Sequence, residues 1–328
     1  MAVEISQSEP RNGNTRPSLK GSKPLKLGKA RYDWFWFLFP AFLLVFVFYF
    51  LPVIITFFIS ATNMSSSTGF KNWDWVGLGN YRKIAQHPET FGHLWLTVRF
   101  VVITLVFFNV GMALVVALLT THIPRQVGFL FRALWLLPRI TPVVVYVMMW
   151  QFLAADVPYG VLNQVFFQPL GLKTQYWLPA APFLFIVLVN GFIGASFGMI
   201  LFSSAIEAIP KDIMTASLVD GSTKWQRVKY IILPSLRWPL LFVTTYQTLS
   251  LMTSFKEILV LTDGEFNTEV WSLWAYHRAL NNYWGNFQWG FGMALSAILV
   301  VIGIILGFVY MRYFKFGELV QEPKIESL

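Results

Sequence analysis

Cysteine is absent from all 328 residues. That excludes disulfides, thiolate nucleophiles and cysteine-ligated zinc, and leaves the redox compartment open. Charge is scarce: Asp, Glu, Lys and Arg make up 12% of the chain, against about 25% in soluble domains. So little charge cannot cover a water-facing surface on a chain this long, and lipid must solvate much of it. A soluble enzyme, a disordered protein and a secreted disulfide scaffold are excluded as readings of the whole chain. Catalytic patterns are also missing. The four histidines, His87, His93, His122 and His277, form no H-E-x-x-H pair, and no G-x-S-x-G elbow is present. Gly21 and Gly28-Lys29 superficially resemble a phosphate loop, but the gap between the glycines is six residues and no strand pattern precedes them. A membrane-embedded enzyme is disfavoured, and the chain is not expected to hydrolyse ATP by itself.

What the chain has is apolar length. Hydrophobic residues reach 56%, with 32 Phe and 14 Trp. A bilayer core of about 30 Å needs roughly 20 apolar residues in a helix. Six segments meet that standard: 34–59, 100–121, about 133–155, 181–206, about 238–262 and 288–311. Backbone polar groups in lipid must be satisfied within the segment, so the expected fold is an all-α integral membrane domain of six transmembrane helices over 29–315. Residues 1–28, rich in Ser, Pro, Gly, Asn and Lys, are expected to form a disordered cytoplasmic tail and not a cleaved signal peptide. Residues 316–328 are expected to form a second cytoplasmic tail.

The net charge of +9 is distributed unevenly. Seventeen Lys and Arg fall in the first tail, the connections after spans two and four, and the C-terminal segment, against five in the other connections. The positive-inside rule then puts both termini of this multi-pass membrane protein in the cytoplasm, and no nucleic-acid partner is expected. Gly194 and Gly198, and Gly303 and Gly307, show small-xxx-small spacing. Such spacing permits close helix approach, here expected within one bundle.

The connection after span four, 206–234, is unusual for a loop. Pro210 ends or redirects the incoming helix. Residues 212–219 can form a short helix with Ile213, Ala216 and Leu218 on one apolar side, and Gly221 can close it. An amphipathic stretch then leads to Pro234 and the next span. A short helix held between two spans suits docking by a partner that pushes on both. By shape alone it suits an ordinary amphipathic loop on the membrane surface equally well.

The stretch resembles the EAA loop of binding-protein-dependent ABC import permeases, in the carbohydrate branch that includes the maltose and glycerol-phosphate permeases. The matching residues are Ala208-Ile209-Pro210, Ala216, Asp220-Gly221, Ile231, Leu233 and Pro234. Further family-like stretches are Val76 to Tyr81, Phe131 to Pro138 with Pro142, Tyr159 to Asn163, and Leu261 to Gly264. Together they cover about 34–315. The resemblance implies the type I ABC importer permease fold and a subunit forming half of a translocation path. Its implied partners are a second permease subunit, two ATPase subunits that carry the ATP and Mg, and an external or periplasmic sugar-binding protein. No cofactor is implied on this chain. The coupling residues implied are Pro210, Lys211, Asp212, Thr215, Ala216, Ser217, Asp220 and Gly221. Thr215 stands where the motif has its glutamate, so an ion pair to the ATPase at that position is not expected.

Spacing relative to the maltose-type permease implies path residues Val143; Asn190, Ile193, Gly194 and Phe197; and Gln247, Ser250, Leu251 and Ser254. The last two sets each repeat at i, i+3, i+4, i+7, so each lies on one helical face. Several of these side chains differ from the maltose-type pattern, so maltose itself is not implied. Lys256, Arg99 and Arg139 lie in or beside spans, where a central charge costs about 2.5–3.5 kcal/mol on insertion scales. Two readings stay open for them. One is pairing, as of Lys256 with Glu257, or snorkelling. The other is contact with an acidic sugar such as a uronate oligosaccharide, alginate among them. A stand-alone secondary transporter or channel is the alternative function, but neither repeats nor a relay of midplane ionisable groups is visible.

Overall fold

The computed structural model describes residues 33–281 and 285–313. The expected tails, 1–28 and 316–328, lie outside them. The helices that matter below are α1 (Phe35–Ser60), α2 (Gly79–Gln86), α3 (Thr90–Thr121), α4 (Arg125–Ile140), α5 (Val143–Ala154), α6 (Pro182–Glu207), α7 (Lys211–Val219), α8 (Arg237–Thr253), α9 (Lys256–Leu261), α10 (Trp271–Ala279) and α11 (Trp289–Tyr313). No strand occurs among the described residues. The chain divides into two units, 1–52 and 53–328. In the first, the described residues are helical and aromatic, with Trp36 and Phe37 exposed.

Four helices, α1, α3, α6 and α11, are long and apolar enough to cross a membrane, or five if the bent pair α4 and α5 is one crossing. The expectation of six continuous spans is therefore corrected in two places. The segment 133–155 is not one helix, since α4 and α5 meet at 101°. Thr141 there is extended (φ −75°, ψ 138°) and Pro142 follows at ψ 134°. Proline lacks an N–H and disfavours helical geometry in the residue before it, so the break falls where it must. The segment 238–262 is likewise interrupted: α8 stops at Thr253, Ser254 is extended (ψ 126°), and α9 restarts at Lys256. The second span is longer than read. It begins at Thr90 and includes a π-helical stretch over Thr104–Met112.

The second unit is organised around α6. Its inner face buries Val189, Ala195, Met199 and Phe202, in two apolar clusters shared with α3, α5 and α8. Close approach of α3 depends on glycine. A Cβ on Gly191 would meet Phe108 at 2.4 Å, and one on Gly198 would meet the Asn109 carbonyl oxygen at 2.4 Å. A third cluster packs Trp271, Trp274 and Ala275 of α10 against Ala294 and Leu295 of α11.

The family-like loop motifs have structural roles. Asn80, nearly buried, donates from Nδ2 to the carbonyls of Ser60 (2.8 Å) and Thr62 (2.7 Å). It thus satisfies carbonyls that a helix end leaves without partners. Asn163, fully buried, donates to the carbonyls of Ala155 (2.9 Å) and Gln175 (2.8 Å) and accepts from Trp177 Nε1 (2.8 Å).

Candidate functional site

Three features rise above packing: a polar seam between α6 and α8–α9, an aromatic shelf on the same two elements, and the exposed helix α7.

The seam lies where α8 breaks. Asn190 of α6 donates from Nδ2 to Ser254 Oγ (3.1 Å) and Glu257 Oε2 (3.3 Å), and Ser254 donates to the same carboxylate oxygen (2.9 Å). Ser272 Oγ donates to the Ser254 carbonyl at 3.0 Å. One turn further along α6, Gln247 Nε2 donates to the Gly194 carbonyl at 2.8 Å. Asn190 and Gln247 are themselves buried, and a buried amide with partners fixes helix register where an unpaired one would destabilise it. The expected path residues Asn190, Gly194, Gln247 and Ser254 are thus brought together. Val143, Ile193 and Leu251 belong to an apolar cluster instead, while Ser250 and Lys256 are exposed. No ion pair joins Lys256 to Glu257 among the described residues. Glu257 is the member that sequence reading missed. The signal was available: a carboxylate in an apolar segment, three residues after a serine.

Phe197 stands apart from the seam. Its ring lies 4.8 Å from that of Tyr246 and 6.4 Å from that of Phe242, and the two α8 rings stack on each other at 14°. Phe242 and Tyr246 are about half exposed. Arg139, at the end of α4, sits with its guanidinium carbon 5.6 Å from the centre of the Phe197 ring.

Helix α7 is held at both ends. Pro210 precedes it in extended geometry (ψ 132°) and Asp212 stands in its first turn, where a negative charge complements the helix dipole. At the other end Gly221 takes φ +73°. The N–H of Ser222 reaches the Ser217 carbonyl (3.0 Å) and that of Gly221 reaches the Leu218 carbonyl (3.1 Å). This pair of bonds is the Schellman closure, and it needs a left-handed residue that glycine supplies without strain. Met214 packs inward and Ser217 is buried. The apolar side read from the sequence, Ile213, Ala216 and Leu218, is exposed, as are Lys211, Asp212, Thr215 and Asp220. The Thr215 hydroxyl donates to the Lys211 carbonyl at 2.9 Å. The following turn opens with a capping box between Thr223 and Gln226.

Histidine and carboxylate groups gather in the connection that joins α9 to α10. His277 contacts Glu269 through Nδ1 (2.7 Å) and Asp263 through Nε2 (3.1 Å). Burial opposes its charge, but the hydrogen bonds to Glu269 and Asp263 and their negative charges outweigh burial and raise its pKa above the ordinary value. His93 of α3 holds the Glu269 carbonyl through Nδ1 at 2.8 Å. No group of three or more such side chains positioned to hold a metal occurs among the described residues.

A helical, multi-pass membrane protein with a buried polar seam and an exposed surface helix bounded by a proline and a Schellman closure is the class these features define. The chain belongs to the family of binding-protein-dependent transport system inner membrane components, whose pattern matches residues 109–317. It is 30% identical over 281 residues to the trehalose/maltose transport system permease protein MalF of Thermococcus litoralis, across 84% of this chain and 92% of that one. It is 26% identical over 253 residues to the arabinooligosaccharides transport system permease protein AraP of Halalkalibacterium halodurans, across 74% and 77% of the two chains. Among solved structures, it resembles a chain of a bacterial alginate ABC transporter in complex with an alginate pentasaccharide-bound periplasmic protein. The TM-score is 0.72 at 17% identity, over 86% of this chain and 93% of that one. At that identity the likeness is one of fold.

Proposed function

We propose that this chain is one of two permease subunits of an ABC importer for a sugar or oligosaccharide, driven by two partner ATPases that bind the ATP and Mg and fed by an external binding protein. The observation that carries the reading is α7. It starts after Pro210, closes at Gly221, is held by Met214 and Ser217 on its inner side, and is exposed along Lys211, Asp212, Thr215, Ala216 and Asp220. In this reading the partner ATPase seats on that exposed side, and its closure moves α6 and α8 together. The bent pair α4–α5 and the broken pair α8–α9 then serve as the third and fifth crossings, giving six with both termini cytoplasmic. The path runs along Asn190, Ile193, Gly194 and Phe197 of α6, Gln247, Ser250, Leu251 and Ser254 of the α8 segment, with Val143 and Lys256 flanking. Opening to one side or the other is a population shift, biased by ATP and by the loaded binding protein through the state that each binds better. The sugar class follows from the relatives, whose names specify trehalose, maltose and arabinooligosaccharides.

The test is reconstitution. With companion permease, ATPases and binding protein, proteoliposomes accumulate the sugar held by the binding protein when ATP is present. The chain alone accumulates nothing. Thr215→Glu leaves uptake largely intact, because docking at this position rests on shape and neighbouring polar groups. Accumulation by the chain alone would replace this reading with that of a secondary transporter.

A further inference from the structure

Arg139 is an exposed guanidinium at the end of an apolar helix, with one weak polar partner. Its Nη1 donates to Ser196 Oγ at 3.4 Å, and the Ser196 hydroxyl is already committed to the Ile193 carbonyl at 2.6 Å. Counting along α6 at about 1.5 Å per residue, Ser196 lies roughly 16 Å from the Glu207 end. That is about half of a 30 Å hydrocarbon core. Arg132, seven residues or about two turns back along α4, pairs with Glu207 and marks that end. No carboxylate meets Arg139 among the described residues. A charge at mid-depth without a counter-ion in its own chain faces a cavity, a neighbouring subunit or a ligand.

The other two intramembrane cations are accounted for differently. The Arg99 guanidinium lies 4.5 Å from the centre of the Phe183 ring, beside the Pro182 end of α6. Lys256 is exposed at the helix break, at the level of Asn190, roughly 25 Å from the Glu207 end at the same rise. Arg139, itself exposed, is the one of the three whose guanidinium lies over the Phe197 ring, which packs against Tyr246 and Phe242; Phe242, Tyr246 and Ser250, at i, i+4 and i+8, are exposed on one face of α8.

The pieces complement one kind of ligand. Aromatic faces pack on the C–H face of a sugar ring, and the Tyr246 and Ser250 hydroxyls can meet ring hydroxyls. A guanidinium presents five N–H donors in a plane, of which Arg139 uses one, weakly. The ring contact with Phe197 orients that plane, and the free edge matches a carboxylate in bidentate fashion. We propose that Arg139 and the Phe197–Phe242–Tyr246 shelf form a site selecting a carboxylate-bearing saccharide, so that the substrate class of this permease is acidic. The inference rests on the carbohydrate-import reading and sharpens it.

The test uses the full transporter in lipid nanodiscs without its binding protein, titrated calorimetrically with trigalacturonate, its neutral methyl ester and maltotriose. The wild type prefers the acid over its ester by about tenfold or more, as a charge-assisted bidentate contact should give. Arg139→Gln brings the ratio close to one, and Arg139→Lys, which keeps the charge but loses the fork, falls between. A ratio that survives Arg139→Gln overturns the proposal. So does equal binding of acid and ester by the wild type, which leaves the carbohydrate reading intact. Loss of the companion subunit from both variants overturns it too, by assigning Arg139 to subunit contact. If none of the three saccharides binds and the complete system takes up no saccharide with ATP, the carbohydrate reading itself fails and this inference with it.

Discussion

Helices α6 and α11 are nearly equal in length, and each carries a Gly-xxx-Gly pair, yet the two pairs do opposite things. In α6, 56% of the most apolar stretch is buried, against 22% in α11. A Cβ on Gly194 would stand 2.2 Å from Asn109 Oδ1, and one on Gly198 would strike the α3 backbone. A Cβ on Gly303 would meet only Leu249 at 3.8 Å, and one on Gly307 would meet nothing within 4 Å. The close contacts of α11 lie at its start, where Gly290 abuts the Thr62 carbonyl and Gly292 abuts Ala279. Small-residue spacing permits close approach; what decides whether approach occurs is what faces the groove.

That contrast can be tested in order of expected effect. Gly198→Ala should cost most, about 1–3 kcal/mol by overpacking, because the atom in the way is backbone. Denaturation in mixed micelles measures it, and an unchanged midpoint would break the comparison. Next is Asn109, fully buried opposite Gly194, with neither amide atom hydrogen-bonded. Replacing an unsatisfied buried amide by a similar apolar volume removes a desolvation penalty of about 1–3 kcal/mol, so Asn109→Leu should raise stability. A stable Asn109→Leu protein that no longer transports would show that the amide acquires a partner in another state of the cycle.

A smaller effect involves the packed end of α11, which leans on α10. His277 ties α10 to Asp263 and Glu269, with His93 and Glu89 close by. Its folded pKa is raised above the ordinary value of about 6.5. The stability it contributes is therefore complete below that value and is lost as pH rises through the folded pKa. Thermal stability should fall with pH in that window, and His277→Gln should flatten the slope. A slope unaffected by the substitution would remove His277 from the account. Smallest of all is Gly307→Ala, expected within about 0.5 kcal/mol as at other open sites. If it dissociates the companion permease instead, the open groove of α11 is an intersubunit contact, and the two glycine pairs are alike after all.

The sequence announced the apolar helices clearly, because a long run without charge has few alternatives to a helix in lipid. It hid the breaks. Across Thr141-Pro142 the hydropathy continues unbroken, and only the proline signals the 101° turn. Across Ser254-Phe255 nothing local does. That break accompanies a tie from Asn190, far away in the chain, to Ser254 and Glu257. Helix α7 was legible from Pro210 and Gly221, each of which fixes a backbone angle. Resemblance to the maltose-type permease put Ile193, Leu251 and Phe197 among candidate path residues, and helical periodicity agreed, but periodicity cannot distinguish a face turned to an apolar cluster from one turned to a cavity. Only Phe197 shares the partly exposed shelf with α8.

The elbow between α4 and α5 also bears on how the protein is made. Helix α5 has 12 residues, about 18 Å of helix, too short to cross a hydrocarbon core of about 30 Å unaided. Offered to the insertion machinery by itself, it has little reason to stay in the bilayer. Its partners, Val189 of α6 through Tyr146 and the α9 carbonyls through Gln151, are synthesised later. Newly made chains should therefore keep α5 at the protein-conducting channel until α6 emerges, and truncation before Pro182 should leave it unintegrated.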